Sequence, residues 1–344
     1  MHITAEHRHQ QLIHWLTGLA TPYHLALDSL TVASSDASFR RYYRIQANET
    51  SYVVMDAPPS QENNTAFIDI QHRLAAAGLK TPEIIAYEAS LGFMLLSDLG
   101  TQNYYHALHE GLEDTVVQAL YRLAIDELVR LQQADHQGLP IYTAERMLDE
   151  LQLFEHWYLN QHCQTTLSPT EKTQLDTIYA QLVADNQKHG QVLVHRDFHS
   201  PNLMMPTDAS LQPGVIDFQD AVVGPLTYDI ASLVMDARYT WDEDQQIDWA
   251  VRYWQTAHQA GLNIDTDFAR FHQAYEWMSV QRNLRILGVF SRLSIRDQKH
   301  HYLDHIPRVV GYLRQVFERY ELFDPLSRLF DRLENKQRVL GMYL

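Results

Sequence analysis

The sequence predicts an α+β protein in two lobes, a small β-rich one over residues 1–96 and a larger, mainly helical one over residues 97–344. Three observations predict this. A chain of 344 residues is long enough for two cores at roughly 150 residues per domain. Short apolar runs bounded by turn residues gather before residue 96. After residue 104, apolar residues recur instead at helical spacing over long stretches.

In chain order, Leu12, Ile13, Leu16 and Leu19 repeat at three and four residues and predict an amphipathic opening helix. "LTVASSDASFRRYYRI" (30–45) and "SYVVMDAPP" (51–59) predict strands around a polar turn, the second stopped by Pro58 and Pro59. "NTAFIDIQHRLAAA" (64–77) predicts a helix that ends at Gly78. "IIAYEA" and "GFMLLSDLG" predict a hairpin, and "SDLGTQ" (97–102) is the nearest thing to a boundary. Helical patterns then cover 114–133, 144–162, 170–187, 242–260, 265–289 and 305–320. Among them lies an island of strand signals, "QVLVH", "LMM" and "GVIDF". A ligand is expected in a cleft between the lobes.

Composition narrows the function. A net charge of −16 argues against broad binding to nucleic acid or anionic lipid, which needs clustered Lys and Arg. A phosphorylated small molecule remains compatible, because Mg²⁺ neutralises it locally. The single cysteine, Cys163, excludes an intrachain disulfide and reads as a small core residue. The first twenty residues mix His, Glu, Gln and Arg into apolar positions, unlike a signal peptide, and no apolar run approaches about 18 residues. The expectation is a cytoplasmic protein with no membrane or nucleic-acid partner.

The chemistry is concentrated in "VHRDFHSPN" (194–202). If 203–205 pairs antiparallel with 214–216, Asn202 falls opposite Asp217, and two hard oxygen ligands meet at one end of a hairpin. That pair suits a Mg²⁺-nucleotide better than zinc. Asp197, in the loop feeding the same hairpin, is placed to accept the proton of a hydroxyl attacking a terminal phosphate. A single loop Asp more often caps a turn. Three ligands framed by three strand signals favour phosphoryl transfer instead.

His195, Asp197, His199 and Asn202, followed by "VIDF" with Asp217, resemble the aminoglycoside phosphotransferase-like branch of the protein-kinase-like fold. The resemblance implies Asp197 as catalytic base and Asn202 and Asp217 as Mg²⁺ ligands. It also implies His195 as organiser of the loop, and Asp229, in "GPLTYDIASLV", as a structural support beneath it. His199 stands where protein kinases place Lys, which turns the likeness toward the small-molecule kinases. His199 and Asp220 are candidate substrate contacts; Asp220 also suits a plain turn.

The smaller, nucleotide-binding lobe departs from that pattern. Met55 and Asp56 stand where the phosphate-binding lysine is expected, and "SSDASFRRYYRI" replaces the glycine-rich loop. Ser35, Ser38, Arg40 and Arg41 are therefore the candidate ATP contacts, one arginine supplying the missing charge. Exposed arginines on a strand edge are the plainer account. The resemblance implies that backbone groups from Ser97 to Leu99 hold adenine.

"SSDASFRRYYRI", "VVMDAPPSQENN" and "SVQRNLRILGVFSRL" are similar to segments of the anomeric kinases for cell-wall amino sugars. The likeness implies phosphorylation at C1 of N-acetylmuramate and N-acetylglucosamine for peptidoglycan recycling. A hemiacetal hydroxyl is more acidic than an ordinary alcohol, so a carboxylate of ordinary basicity suffices. Arg282 is the candidate partner of the lactyl carboxylate, and Glu150 and Trp157 are candidates for the sugar, although core packing explains most of their helix. His301 and His305 lack a third nearby ligand and read as a solvated helix end, not zinc. The alternatives are a kinase of the same fold for an aminoglycoside or other small alcohol, and a non-catalytic nucleotide-binding regulator, motivated by the missing lysine. Oligomeric state is left open.

Overall fold

The opening helical repeat forms α1 (Ala5–Tyr23), and its Leu12 and Leu16 are fully buried. A computed structural model describes residues 5–35, 39–207 and 212–339. Its contacts divide the chain into two units, Met1–Gln102 with Met204–Asp220, and Asn103–Leu203 with Ala221–Leu344. The division expected from sequence lay at 96/97; the structure adds the connector and a later return of the chain to the first unit.

In the first unit α1 packs on a five-stranded antiparallel sheet. Its strands are β1 (Leu25–Ser35), β2 (Arg41–Ala47), β3 (Thr50–Asp56), β4 (Ile84–Glu88) and β5 (Phe93–Ser97), in the order β1-β2-β3-β5-β4. Asn48 and Glu49 form the β2–β3 turn, since Ala47 pairs with Thr50; Asn48 takes φ 49°, a left-handed value that Asn tolerates. Leu16, Ile45, Val54 and Phe93 fill the space beneath the helix. Arg8 of α1 donates to Asp56 at 2.7 Å and to the Leu91 carbonyl at 2.6 Å. The expected β4–β5 hairpin is present, and its turn requires glycine. Gly92 has φ 71°, and a Cβ there would stand 2.0 Å from the Ala57 carbonyl oxygen. Helix α2 (Asn64–Ala76) is capped by Asn63 and gives way at Gly78, φ 83°.

The second unit is helical. It opens with α3 (Tyr104–Glu110), α4 (Asp114–Gln132) and α5 (Ala144–Leu153), the last continuing as a π-wound segment, Phe154–His162. Next come α6 (Pro169–Asn186), started by a Ser168/Glu171 capping box, and β6 (Gln191–Val194). At Met204 the chain returns to the first unit, where β7 (Leu203–Met204) and β8 (Gly214–Val215) make the expected two-stranded sheet. Val215 N–H donates to the Lys80 carbonyl and Gln212 to the Gly78 carbonyl, each at 2.8 Å. Phe218 packs on Phe67 with ring centroids 5.0 Å apart. These contacts join residues far apart in sequence, so no local pattern announces the return.

Back in the second unit, β9 (Val222–Pro225) pairs antiparallel with β6. It was not among the expected strands, since it holds Gly224 and ends at Pro225, two residues that disfavour a strand. Then follow α7 (Thr227–Val234), α8 (Glu243–Gln259), α9 (Phe268–Asp297), α10 (Ile306–Phe317) and α11 (Asp324–Val339). Helix α9 outruns its expected end at 289 by eight residues, to a left-handed cap at Gln298, φ 58°. At the crossing of α9 with the end of α5, a Cβ on Gly288 would lie 2.4 Å from the Leu153 carbonyl carbon, so only glycine permits the approach. Among the described residues no helix is long and apolar enough to cross a membrane.

Candidate active site

Strand β6 is apolar and buried, and it delivers His195 into a loop whose backbone has no sheet partner. Arg196 takes φ 79°, unfavourable for a residue with a Cβ, and the loop needs outside support. Asp229, on the first turn of α7 and fully buried, supplies it by accepting the His195 N–H at 2.6 Å and the Arg196 N–H at 3.0 Å. A second buried carboxylate, Asp236, accepts both the backbone N–H and the hydroxyl of Ser200. The loop is thus pinned at both ends by carboxylates following β9.

Within it, Asp197 N–H donates to His195 Nδ1 at 3.3 Å and His199 N–H to the Asp197 carbonyl at 3.1 Å. The Asn202 side-chain amide donates to the same carbonyl at 2.9 Å. The backbone alternates through this stretch, leaving Asp197 and His199 partly exposed while His195, Arg196, Phe198 and Ser200 are buried. The sequence motif therefore presents two side chains, one carboxylate and one imidazole.

Their charges are set by neighbours. Burial works to raise the Asp197 carboxyl, but His199, Arg285, Arg282 and His195 outweigh it and hold it at about 2. His199 is itself lowered to about 4, by burial and by Arg238, so at neutral pH it is uncharged and the two arginines carry the effect. Arg238 Nη1 donates to His199 Nδ1 at 3.3 Å, which leaves the ring proton on Nε2. Asp229 is raised to about 6, burial prevailing over His195 and the backbone N–H groups.

Glu150 on α5 lies behind the loop as a hub. It accepts from the Tyr142 hydroxyl at 2.6 Å, pairs with Arg196, and lies 3.3 Å from Arg285 Nε. Arg282, expected at the sugar, is only 3% exposed. Its guanidinium donates to Ser232 on α7 at 2.7 Å, reaches the Arg196 carbonyl at 3.5 Å and lies over the Tyr228 ring. Arg282 faces the interior, while Arg285, one turn on, is 19% exposed in its side chain. Trp157 is half-buried on the π-wound segment, edge-on to His156. His301 and His305 pack against Tyr302 and Phe290, and among the described residues no three His, Cys, Asp or Glu are grouped to hold a metal.

Asp217 belongs to the first unit. It follows β8 with φ 65° and accepts from Gln219 at 2.7 Å. In the same unit Arg40, 9% exposed, pairs with Glu62 at 2.8 Å. Burial disfavours its charge, yet Tyr42, Glu62 and Asp217 hold its pKa above the usual value. Arg41 points outward on β2. Ser35 ends β1 with nothing described of its side chain, and Ser38 lies outside the described residues. Ser97 ends β5, its hydroxyl accepting the Glu83 N–H at 2.8 Å, and Leu99 packs on Gly214. Asp98 between them is held by Arg44, Ser51 and the Gly100 N–H. Asp220 is exposed in the turn after β8.

Asn202 donates its amide N–H to the Asp197 carbonyl, and its amide oxygen, like the carboxylate of Asp217 in the first unit, is a donor of the hard-oxygen type that magnesium takes. The sequence reading missed Asp236, Arg238, Arg285 and Glu62. Only Arg285 carried a signal, its place one turn from Arg282 on a mixed polar stretch of α9.

The family model described as "Phosphotransferase enzyme family" matches residues 29–272. The N-acetylmuramate/N-acetylglucosamine kinase of Pseudomonas putida is 40% identical over 312 residues, covering 90% of this chain and 90% of the relative. The kinase of the same name from Pseudomonas aeruginosa is 42% identical over 291 residues, 84% of each. Among solved structures, spectinomycin phosphotransferase APH(9)-Ia in complex with ADP and spectinomycin matches with a TM-score of 0.60 at 12% identity, over 89% of this chain and 98% of that one. At that identity the likeness is one of fold.

Proposed function

The chain belongs to the phosphotransferase enzyme family, and from that premise we propose that it transfers the terminal phosphoryl group of ATP to the C1 hydroxyl of N-acetylmuramate and N-acetylglucosamine, as in peptidoglycan recycling. The substrate class is that of the two Pseudomonas relatives. The chemistry rests on one observation above all: a partly exposed, ionised Asp197 whose own carbonyl is gripped by the Asn202 amide.

Asp197 accepts the proton of the anomeric hydroxyl as its oxygen bonds to phosphorus and the bond to the ADP oxygen breaks. A carboxylate held at about 2 is a weak base, which matches a loose transition state and an acidic hemiacetal hydroxyl. Asn202 and Asp217 are each proposed as residues that would hold magnesium, which would neutralise phosphate charge. Backbone groups at Ser97 and Leu99 hold adenine, and the 35–41 segment holds the phosphates. Of its two arginines the reading favours Arg40, because its pairing with Glu62 resembles the lysine–glutamate pair of kinases, made here from the residue just before β2 and the loop before α2. His199 offers Nε2–H to the substrate, and Asp220 and Trp157 are further contacts. Glu150 and Arg282 act from behind, by fixing Arg196 and the loop.

The test is ³¹P NMR of the enzyme with ATP and a panel of N-acetylmuramate, N-acetylglucosamine and kanamycin-like acceptors. The reading expects a sugar 1-phosphate resonance from the amino sugars. Phosphate transferred only to the aminoglycoside would establish the alternative acceptor, and no transfer to any acceptor would favour a nucleotide-binding regulator.

A further inference from the structure

Between α7 and α8 the chain is irregular over residues 235–242, yet its backbone is fixed at several points. One oxygen of the buried Asp236 carboxylate accepts the Arg238 N–H at 2.9 Å, and the other accepts the Ser200 N–H at 3.1 Å. Helix α10, beyond the matched residues 29–272, adds three more bonds. Arg308 donates to the Ala237 carbonyl at 3.0 Å and to the Thr240 hydroxyl, and the Tyr312 hydroxyl donates to the Tyr239 carbonyl at 2.9 Å. A loop without regular structure keeps one shape only when its backbone groups are satisfied in this way.

The segment returns one side chain to the loop that carries Asp197. Arg238 is half-buried, and its Nη1 lies 3.3 Å from Nδ1 of the partly exposed His199. A guanidinium has donors and no acceptor, so Nδ1 accepts and Nε2 is the only nitrogen of that ring left to donate. Because Ser200 follows His199 in the chain, the bonds close a circuit: Asp236 to Ser200, His199 to Arg238, and Arg238 back to Asp236. A free imidazole turns about two side-chain bonds and exchanges its proton between two nitrogens. The circuit removes both freedoms, and a donor ordered beforehand loses little further entropy when substrate arrives.

We propose, on the reading above in which His199 meets substrate, that Arg238 is a positioning residue for phosphoryl transfer: it orients the His199 ring and keeps its proton on Nε2, so that the ring always donates to a substrate oxygen. Arg238 itself touches no reacting atom. Its whole effect passes through His199, and that dependence is measurable.

The experiment is a double-mutant cycle on kcat/KM for transfer of radiolabelled phosphate from ATP to N-acetylglucosamine, in wild type, Arg238→Met, His199→Ala and the double variant, with thermal unfolding of each to confirm the fold. Arg238→Met keeps the length of the side chain and removes its donors, and kcat/KM falls by roughly 10-fold. In the His199→Ala background the same substitution changes kcat/KM by less than about threefold, because the ring it acts on is gone. Arg238→Lys, which keeps a charged donor, recovers part of the loss. Equal losses in the two backgrounds, or Arg238→Met within about twofold of wild type, overturn the proposal. His199→Ala with wild-type kcat/KM overturns instead the reading that His199 meets substrate, and wild-type enzyme that leaves N-acetylglucosamine unphosphorylated overturns the amino-sugar reading, two results distinct from an additive cycle.

Discussion

Glu150 on α5 and Arg285 on α9 lie 3.3 Å apart, and the same carboxylate holds Arg196, the residue before the candidate base. Three segments remote in sequence thereby share one ion-pair network behind a loop whose own backbone is strained at Arg196. The network depends on a close helix crossing one turn further on, where Gly288 meets the Leu153 backbone.

Gly288→Ala tests that dependence. The added methyl collides with backbone, so α9 must move away from α5 and the Glu150–Arg285 contact lengthens. The expected cost is about 1–3 kcal/mol in urea unfolding, with kcat falling more than nucleotide affinity.

Asp229→Ala leaves two buried backbone N–H groups without an acceptor. The expected loss is on the order of 3 kcal/mol by chemical denaturation, with transfer abolished. A variant as stable as wild type would show that the loop holds its shape without α7.

The pH profile separates Asp197 from histidine. With Asp197 held at about 2 and His199 at about 4, kcat/KM should be level from about pH 5.5 to 8. A base with the ordinary histidine pKa would give an acid limb at about 6.5, inside that range, and His199 acting as base would give one at about 4, above the limb of Asp197 at about 2. Stability carries two opposite signs. The lowered Asp197 contributes fully above about 4 and loses that contribution as pH falls toward 2, whereas the raised Asp229 contributes most below about 4 and less as pH climbs through 6.

Arg40→Ala and Arg41→Ala separate the two candidate phosphate contacts. Arg40 is buried against Glu62 in the field of Asp217, while Arg41 points outward. Titration with a fluorescent ATP analogue should show roughly tenfold weaker binding for Arg40→Ala and a change under about twofold for Arg41→Ala. The reverse order would return the role to Arg41.

The sequence made the loop legible because its chemistry is packed into consecutive positions, His195 to Asn202, and because β6 and β8 flank it as apolar runs. Helices α4, α6, α8 and α10 were legible from their periodicity, to within a few residues at each end. What stayed hidden depends on contacts across long separations. Strand β9 is short and ends in Gly and Pro, so only its pairing with β6 makes it a strand. Asp236 and Glu62 matter for what they touch, not for where they stand in a motif. Arg282 and Arg285 look alike in sequence, and only packing turns one inward and leaves the other partly exposed.

The most direct test is the single-turnover rate of phosphoryl transfer to N-acetylmuramate in Asp197→Asn, measured beside its affinity for Mg-ATP. The amide keeps the shape of the side chain and cannot take the proton, so transfer should fall by roughly 100-fold or more while nucleotide affinity stays within about threefold. Transfer at the wild-type rate would contradict the assignment of Asp197 as the base.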